Sequence, residues 1–305
     1  MRRGLVAGAV ALVLGIIVVV VGLQLTRPHT SASSPVPTAA SPTPIPIDQA
    51  LLHRRVTFLL LGTDQNAQRQ KSGESVLTDS MIVVSVNATH TRVGMLSVPR
   101  DTVDLPLPDG GTWPQKLNAL YAAKGIDTLR GTFDNLLGVK IDYTVVINMD
   151  DFVSLIDAFG GVDVVVSEAI HDREIGLDIT AGRHHLDGKT ALAYSRSRYT
   201  TNDFARAERQ HEVLVALLAR FNSPSTKVDV PSLLKTLTSL ASSIPADKLP
   251  TVLEIARRSR AAKVTDVVLQ PPRFYDVDLS GPRGYVLLPK LDEIRAFAQP
   301  MLTGP

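Results

Sequence analysis

Four arginines crowd into residues 194–210, which read Tyr-Ser-Arg-Ser-Arg-Tyr, a short Thr/Asn break, then Asp-Phe-Ala-Arg-Ala-Glu-Arg-Gln. Arg196 and Arg198 are two apart, so on a strand end both guanidinium groups emerge on one face. Arg206 and Gln210 are four apart and share a face of the helix that follows. Two such pairs, hinged by a short loop, can converge on one multiply charged anion, because the planar fork of arginine matches phosphate oxygens two at a time. A solvated basic patch is the plainer use of the same residues. With Phe204, Ala207, Leu214, Leu218 and Phe221 as the buried stripe of this helix, Gln210 falls within the stripe and Arg206 at its margin. Arg209 is expected at the surface.

Other chemistry-bearing residues sit where strands end. Asp64 closes the apolar run 55–62, and Asp79 precedes the next apolar run. Either carboxylate can simply cap an element. Two of them at neighbouring strand ends can also hold a hard divalent cation, leaving coordination positions for phosphate oxygens and water. Arg100 and Asp101 follow a third strand, and Lys116 and Asn118 open a helix whose free N–H groups favour an anion. His184, His185 and His211 show no metal-ligand spacing and are expected to be peripheral. No nucleophile elbow, Walker loop or dinucleotide fingerprint is present. The absence of cysteine removes disulfides and thiolate chemistry. A net charge of +2 is too small for a non-specific nucleic-acid binder, so any basic cluster must be local.

The elements that position these groups alternate. Strands are expected over 55–62, 81–87, 92–99, 143–148, 162–166, 264–270 and 285–288, the second and third as a hairpin. Helices are expected over 115–124, 128–137, 150–159, 231–243 and 248–259, with a closing one from 289. This pattern predicts an α/β fold, α-β-α layered, with a mixed central sheet flanked by helices and one domain over 48–305. Residues 27–47 are rich in Pro, Ser, Thr and Ala and read as a tether. Ahead of them, residues 4–23 carry no polar side chain, and twenty residues at 1.5 Å each span about 30 Å, a hydrocarbon core. Residues 1–26 therefore read as a cytoplasmic tip and an uncleaved transmembrane anchor, a cleaved signal peptide being the alternative. Arg2 and Arg3 against Arg27 orient the N-terminus to the cytoplasm, which leaves the folded domain outside the cell membrane.

Taken in order, Leu-Leu-Gly-Thr-Asp64, Thr-Asp79-Ser-Met, Leu-Ser-Val-Pro-Arg100-Asp101, Gln-Lys116-Leu-Asn-Ala-Leu-Tyr, Ile-Asp-Tyr-Thr-Val, Phe-Gly-Gly-Val-Asp, Tyr-Ser-Arg196-Ser-Arg198 and Phe-Ala-Arg206-Ala-Glu-Arg-Gln210 resemble the LytR-CpsA-Psr family of bacterial cell-wall glycopolymer ligases. The resemblance implies a phosphotransferase that moves a phosphoglycan from a polyprenyl-pyrophosphate carrier to a muramic acid hydroxyl of peptidoglycan. It further implies that Arg100, Lys116, Arg196, Arg198, Arg206 and Gln210 bind the pyrophosphate, and that Asp64 and Asp79 hold magnesium, with manganese as the alternative. Arg100 and Arg198 are then catalytic, and Asp101 is the candidate base or the group that orients Arg100. Five cations and the metal outweigh the two aspartates and a pyrophosphate diester, so the site suits charge growing on a departing polyprenyl phosphate. The lipid tail needs an apolar groove, expected between the sheet and helices 115–124 and 150–159. In one departure, Leu77 occupies a position where the family carries arginine, and Arg69 or Lys71 is the candidate replacement. A lipid pyrophosphatase and a non-catalytic lipid-binding or regulatory protein are the competing readings. Neither they nor the ligase has nucleic acid as a partner.

Overall fold

The computed structural model describes residues 46–73, 76–198, 202–223 and 225–304. The anchor expected over 1–26 and nearly all of the tether lie outside the described residues. Among the described residues no helix is long and apolar enough to cross a membrane.

The chain begins with a short helix α1 (Gln49–Leu52), strand β1 (Val56–Thr63) and a two-turn helix α2 (Ala67–Ser72). Strands β2 (Thr78–Val86) and β3 (Arg92–Ser97) form the expected hairpin, closed by Asn87, whose side chain accepts from the N–H groups of Thr91 and Arg92. A small ribbon, β4 (Leu105–Pro106) and β5 (Thr112–Trp113), leads into α3 (Leu120–Leu137). Gly125, at φ +80°, breaks α3 where two separate helices were expected. Strand β6 (Tyr143–Ile147), helix α4 (Met149–Ala158) and strand β7 (Val162–Val166) follow. Three strands that the periodicity did not reveal come next: β8 (Ile170–Asp172), β9 (Leu177–Ile179) and β10 (Gly182–Leu186). β8 and β9 are too short to show an alternating pattern, and β10, Gly-Arg-His-His-Leu, has a single apolar side chain and so shows none.

Helices α5 (Gly188–Arg196), α6 (Asp203–Asn222) and α7 (Val230–Ser239) come before β11 (Ala241–Ser242), α8 (Leu249–Arg258) and β12 (Lys263–Val268). The chain closes with the hairpin β13 (Tyr275–Asp278) and β14 (Val286–Pro289) and with α9 (Leu291–Thr303). The segment expected as a strand end at 194–198 is instead the last turn of α5. Asp187 caps this helix by accepting from Thr190 N–H, and Ala191, Tyr194 and Ser195 are buried at helical spacing.

The main sheet is mixed, six strands in the order β11-β6-β1-β2-β3-β12, with β1 parallel to β6 and β3 parallel to β12. Alternation sends Phe58, Ile82, Val84 and Met95 to one face and Leu59, Leu61, Val83 and Leu96 to the other. Helices α3 and α9 cover the second face. Helices α4 to α8 cover the first. The result is the layered α/β architecture expected from the alternation of elements.

Candidate functional site

The site starts from an irregularity at the end of β1. Gly62 pairs with Ser80 but Thr63 pairs with Thr78, so Asp79 is skipped in the ladder. Such a bulge re-aims the unpaired side chain. Gly62 allows a close approach there, since a Cβ would lie 3.0 Å from Ser80 Cβ. Asp79 Oδ1 accepts from Arg100 Nη1 at 2.6 Å. One residue past β1, buried Asp64 accepts from Leu77 N–H at 2.8 Å through Oδ1 and meets Arg69 Nη1 at 2.6 Å through Oδ2. Both aspartates line the mouth of the same groove.

The arginines are gathered by a residue that sequence reasoning missed. Asp203 opens α6 after Asn202, whose side chain accepts from the N–H groups of Phe204 and Ala205. Asp203 Oδ2 takes Arg100 Nε at 2.8 Å and Arg206 Nη2 at 3.3 Å, and Oδ1 lies 3.5 Å from Arg198 Nη1. Burial opposes its charge, but Arg206, Arg100 and Arg198 outweigh burial and hold the carboxyl below the usual carboxylate range. Burial likewise opposes the charge on Arg100 and is outweighed by Asp79, Asp203 and Asp101, so its pKa rises. For Arg206 burial prevails and the pKa falls. Arg206 Nη2 also donates to Asp79 O at 3.2 Å, yet Nε is buried with no acceptor among the described residues. A buried guanidinium left short of acceptors by its own chain suits an anionic ligand. Asp203 carried a sequence signal, a carboxylate one helical turn before Arg206.

Arg196 and Arg198 reach the site from the end of α5 and the residues just past it rather than from a strand face. With Arg206, Gln210 and Asp79 they line a cleft of about 350 Å³, to which Asp172 and Glu174 add negative charge, Asp172 accepting from Ser197 Oγ at 2.7 Å. Arg196 has no carboxylate partner among the described residues, and Gln210 Nε2 donates to Ser195 O at 3.3 Å. Arg209, expected at the surface, is buried. It donates to the carbonyls of Tyr194 and Ser197 and lies 5.9 Å from the Tyr194 ring centroid, pinning the turn that carries Arg196 and Arg198 to α6. Because α6 is embraced by α5, β7 and β12, its buried arc runs through Arg206, Arg209, His211, Val213, Ala216 and Leu217, displaced from the predicted stripe, of which Phe204, Ala207, Leu214 and Phe221 are only partly buried and the Leu218 side chain lies outside the described residues. His211 is therefore not peripheral. His184 and His185 are, the latter pairing with Asp163 at 2.8 Å. Lys116 Nζ meets Asp101 Oδ1 at 2.7 Å, and Asp101 Oδ2 lies 3.7 Å from Arg100 Nε.

Beneath the cleft runs an apolar groove of about 150 Å³, lined by Leu60, Ile147, Phe152, Leu192, Leu214 and Leu240 among others. Asp79, Arg196 and Gln210 belong to both walls. The groove lies between the sheet and α4, α5 and α6. Helix 115–124, expected as one of its walls, packs on the opposite face, where Leu117 and Leu120 join the α3–α9 core.

A family model matches residues 29–276 and is that of the LytR_cpsA_psr family. The chain belongs to the LytR_cpsA_psr family. Among its relatives, the Biofilm regulatory protein A of Streptococcus mutans is 35% identical over 176 residues, covering 54% of this chain and 43% of that one. The polyisoprenyl-teichoic acid–peptidoglycan teichoic acid transferase TagV of Bacillus subtilis is 34% identical over 182 residues, covering 57% of this chain and 46% of TagV. The chain thus spans just under half the length of both. The crystal structure of B. subtilis TagV superposes with a TM-score of 0.65 at 26% identity, over 83% of this chain and 99% of that one. A Streptococcus agalactiae protein superposes with a TM-score of 0.68 at 26% identity, over 84% of this chain and 90% of the other. Within this LytR_cpsA_psr domain, Arg69 of α2 pairs with Asp64, to whose carbonyl it also donates at 3.2 Å, while Leu77 supplies Asp64 only its backbone N–H.

Proposed function

We propose that this chain is a magnesium-dependent phosphotransferase, held at the cell membrane by residues 4–23 with its domain outside, that transfers a glycopolymer phosphate from a polyprenyl-pyrophosphate carrier to a muramic acid hydroxyl of peptidoglycan. One observation carries the reading. An arginine-lined cleft and an apolar groove share Asp79, Arg196 and Gln210 as a common wall, which suits one molecule with a doubly charged head and a hydrocarbon tail.

The tail lies in the groove against Phe152, Leu192 and Leu214. The pyrophosphate lies in the cleft, where Arg196, Arg198, Arg206 and Gln210 bind it and Arg100 reaches in beside Asp79. Asp203 holds Arg100, Arg198 and Arg206 in place before substrate arrives, so little reorganisation remains when charge develops on the leaving phosphate. Asp101, engaged by Lys116 and close to Arg100, positions both cations. Asp64 and Asp79 are hard oxygen donors at the groove mouth, and no set of three or more metal-binding side chains occurs among the described residues. A pair of carboxylates fits Mg²⁺, which takes one or two and fills its octahedron with water and phosphate oxygens. When bound, the ion supplies charge neutralisation of the pyrophosphate oxygens.

Product analysis tests the reading. Full-length protein given a polyprenyl-pyrophosphate-linked oligosaccharide and peptidoglycan fragments yields the phosphodiester, and Arg198→Ala abolishes it while leaving the fold intact. Equal release of glycan phosphate with and without acceptor would instead identify a pyrophosphatase. Binding with no turnover would identify a lipid-binding regulator.

A further inference from the structure

His211 follows Gln210 on α6 and is only 3% exposed. Its Nε2 lies 2.7 Å from Ser97 Oγ at the end of β3, itself 3% exposed. Its Nδ1 lies 3.6 Å from Asp266 Oδ2 on β12, whose side chain is 51% exposed. The parallel pairing of β3 with β12, Ser97 opposite Val268, fixes this alignment. The contact with His211 is the main reason that the Asp266 carboxyl titrates below its usual range. Serine, histidine and aspartate thus form a row from the interior to solvent.

The inner end of the row opens on the site. Ser97 lines a small cavity of about 20 Å³ together with Asp79, Arg100, Asp203, Arg206 and Gln210. That volume admits one water, which needs about 10–15 Å³. It does not admit a phosphoryl group, so Ser97 is no nucleophile here. We propose that Ser97, His211 and Asp266 form a proton relay between the anion site and solvent, in which His211 acts through Ser97 as a positioning residue.

The relay rests on the transfer reading above. As the acceptor oxygen bonds to phosphorus, the bond from phosphorus to the departing polyprenyl phosphate breaks and its electron pair stays on the leaving oxygen. The hydroxyl proton passes to the cavity water. That water protonates Ser97 Oγ as Ser97 gives its own proton to His211 Nε2, and the imidazolium is stabilised by Asp266 until the Nδ1 proton leaves to solvent. The charged groups around His211 are accounted for. Arg209 is committed to backbone carbonyls, Glu208 to Gln270 and Glu212 to Tyr194. Lys263 and Arg92 lie at the far ends of β12 and β3. Asp79, Arg100, Asp203 and Arg206 line the cavity beyond Ser97, and Asp266 remains as the carboxylate beside the ring.

The test combines histidine-ring NMR with a pH profile on the full chain. Inorganic pyrophosphate with Mg²⁺ raises the His211 titration midpoint by about half a unit or more, since an added negative charge favours imidazolium. Asp266→Asn, a change at a half-exposed position that leaves the fold intact, lowers that midpoint and moves the acidic limb of the turnover profile to lower pH by the same amount. His211→Gln lowers turnover roughly tenfold with pyrophosphate affinity unchanged, as expected when proton transfer alone is impaired. If His211→Gln does not fold, Asp266→Asn carries the test. A midpoint indifferent to pyrophosphate, from whatever cause, overturns the relay, as does an acidic limb that stays in place in Asp266→Asn. If the wild type binds pyrophosphate but transfers nothing, the transfer reading falls while the NMR midpoint still decides the coupling.

Discussion

The two faces of the central sheet draw on the same kinds of residues, Val, Leu, Ile and Phe, and end up differently. On the α3–α9 face Leu129, Phe133, Leu136, Ile294 and Ala298 are fully buried, and α9 comes so close that a Cβ at Gly94 would lie 3.0 Å from Met301 O. On the other face Leu60, Ile147, Phe152 and Leu214 are only partly buried and enclose a groove. Close-packed interiors leave few voids larger than a water molecule. An apolar channel that stays open at one end, where the arginines stand, therefore marks a place for apolar ligand. Both faces carry a buried core that holds the domain together, and only the second of them leaves a groove beside that core.

Substitutions can break this contrast. Phe133→Ala on the filled face is expected to cost about 3–5 kcal/mol, read by urea denaturation, with no effect specific to any ligand. Asp203→Asn at the polar end of the open face leaves a buried arginine short of its counter-charge and is expected to cost about 2 kcal/mol, a figure reduced for its partial exposure. Pyrophosphate should restore much of that loss by supplying the missing negative charge, seen as a larger rise in Tm than for the wild type. Because the folded pKa of Asp203 is depressed, its contribution is fully present above about pH 4, the unfolded value, and is lost as pH falls through the lower folded value. The two proteins should differ at pH 7 and pH 5 and converge in stronger acid.

Smaller effects on stability separate the faces further. Phe152→Ala is expected to cost only about 1 kcal/mol, since the ring is already part-exposed, yet to weaken binding of a long-chain polyprenyl pyrophosphate while sparing inorganic pyrophosphate. Leu192→Trp, which fills the groove, should leave stability nearly unchanged and exclude the long chain altogether. Equal losses for both ligands in either variant would show that the groove serves the head group rather than the tail.

Much of the scaffold is legible in the sequence because local signals agree with the fold. Gly125 and Gly138 punctuate α3, Asn87 turns the hairpin, and the apolar runs of β1 and β2 are long enough to show their period. The site is less legible because it depends on local exceptions. The bulge that frees Asp79 follows from pairing geometry at Gly62, which no spacing in one strand reveals. Leu-Ala-Tyr-Ser-Arg at 192–196 serves helix or strand equally well, and the Asp187 cap decides for helix. Arg209 looks like a surface residue until α5 lies across it, and only then are the Tyr194 and Ser197 carbonyls there to receive it. Asp203 sat one turn before Arg206, yet a search for cations passes over the carboxylate that organises them.

The transfer function requires one molecule to occupy both groove and cleft. Calorimetry of the wild-type chain with inorganic pyrophosphate, a ten-carbon and a twenty-carbon polyprenyl pyrophosphate addresses this directly. Affinity is predicted to rise with each lengthening of the tail, by an amount that Leu192→Trp removes. Equal affinity for all three ligands would contradict it.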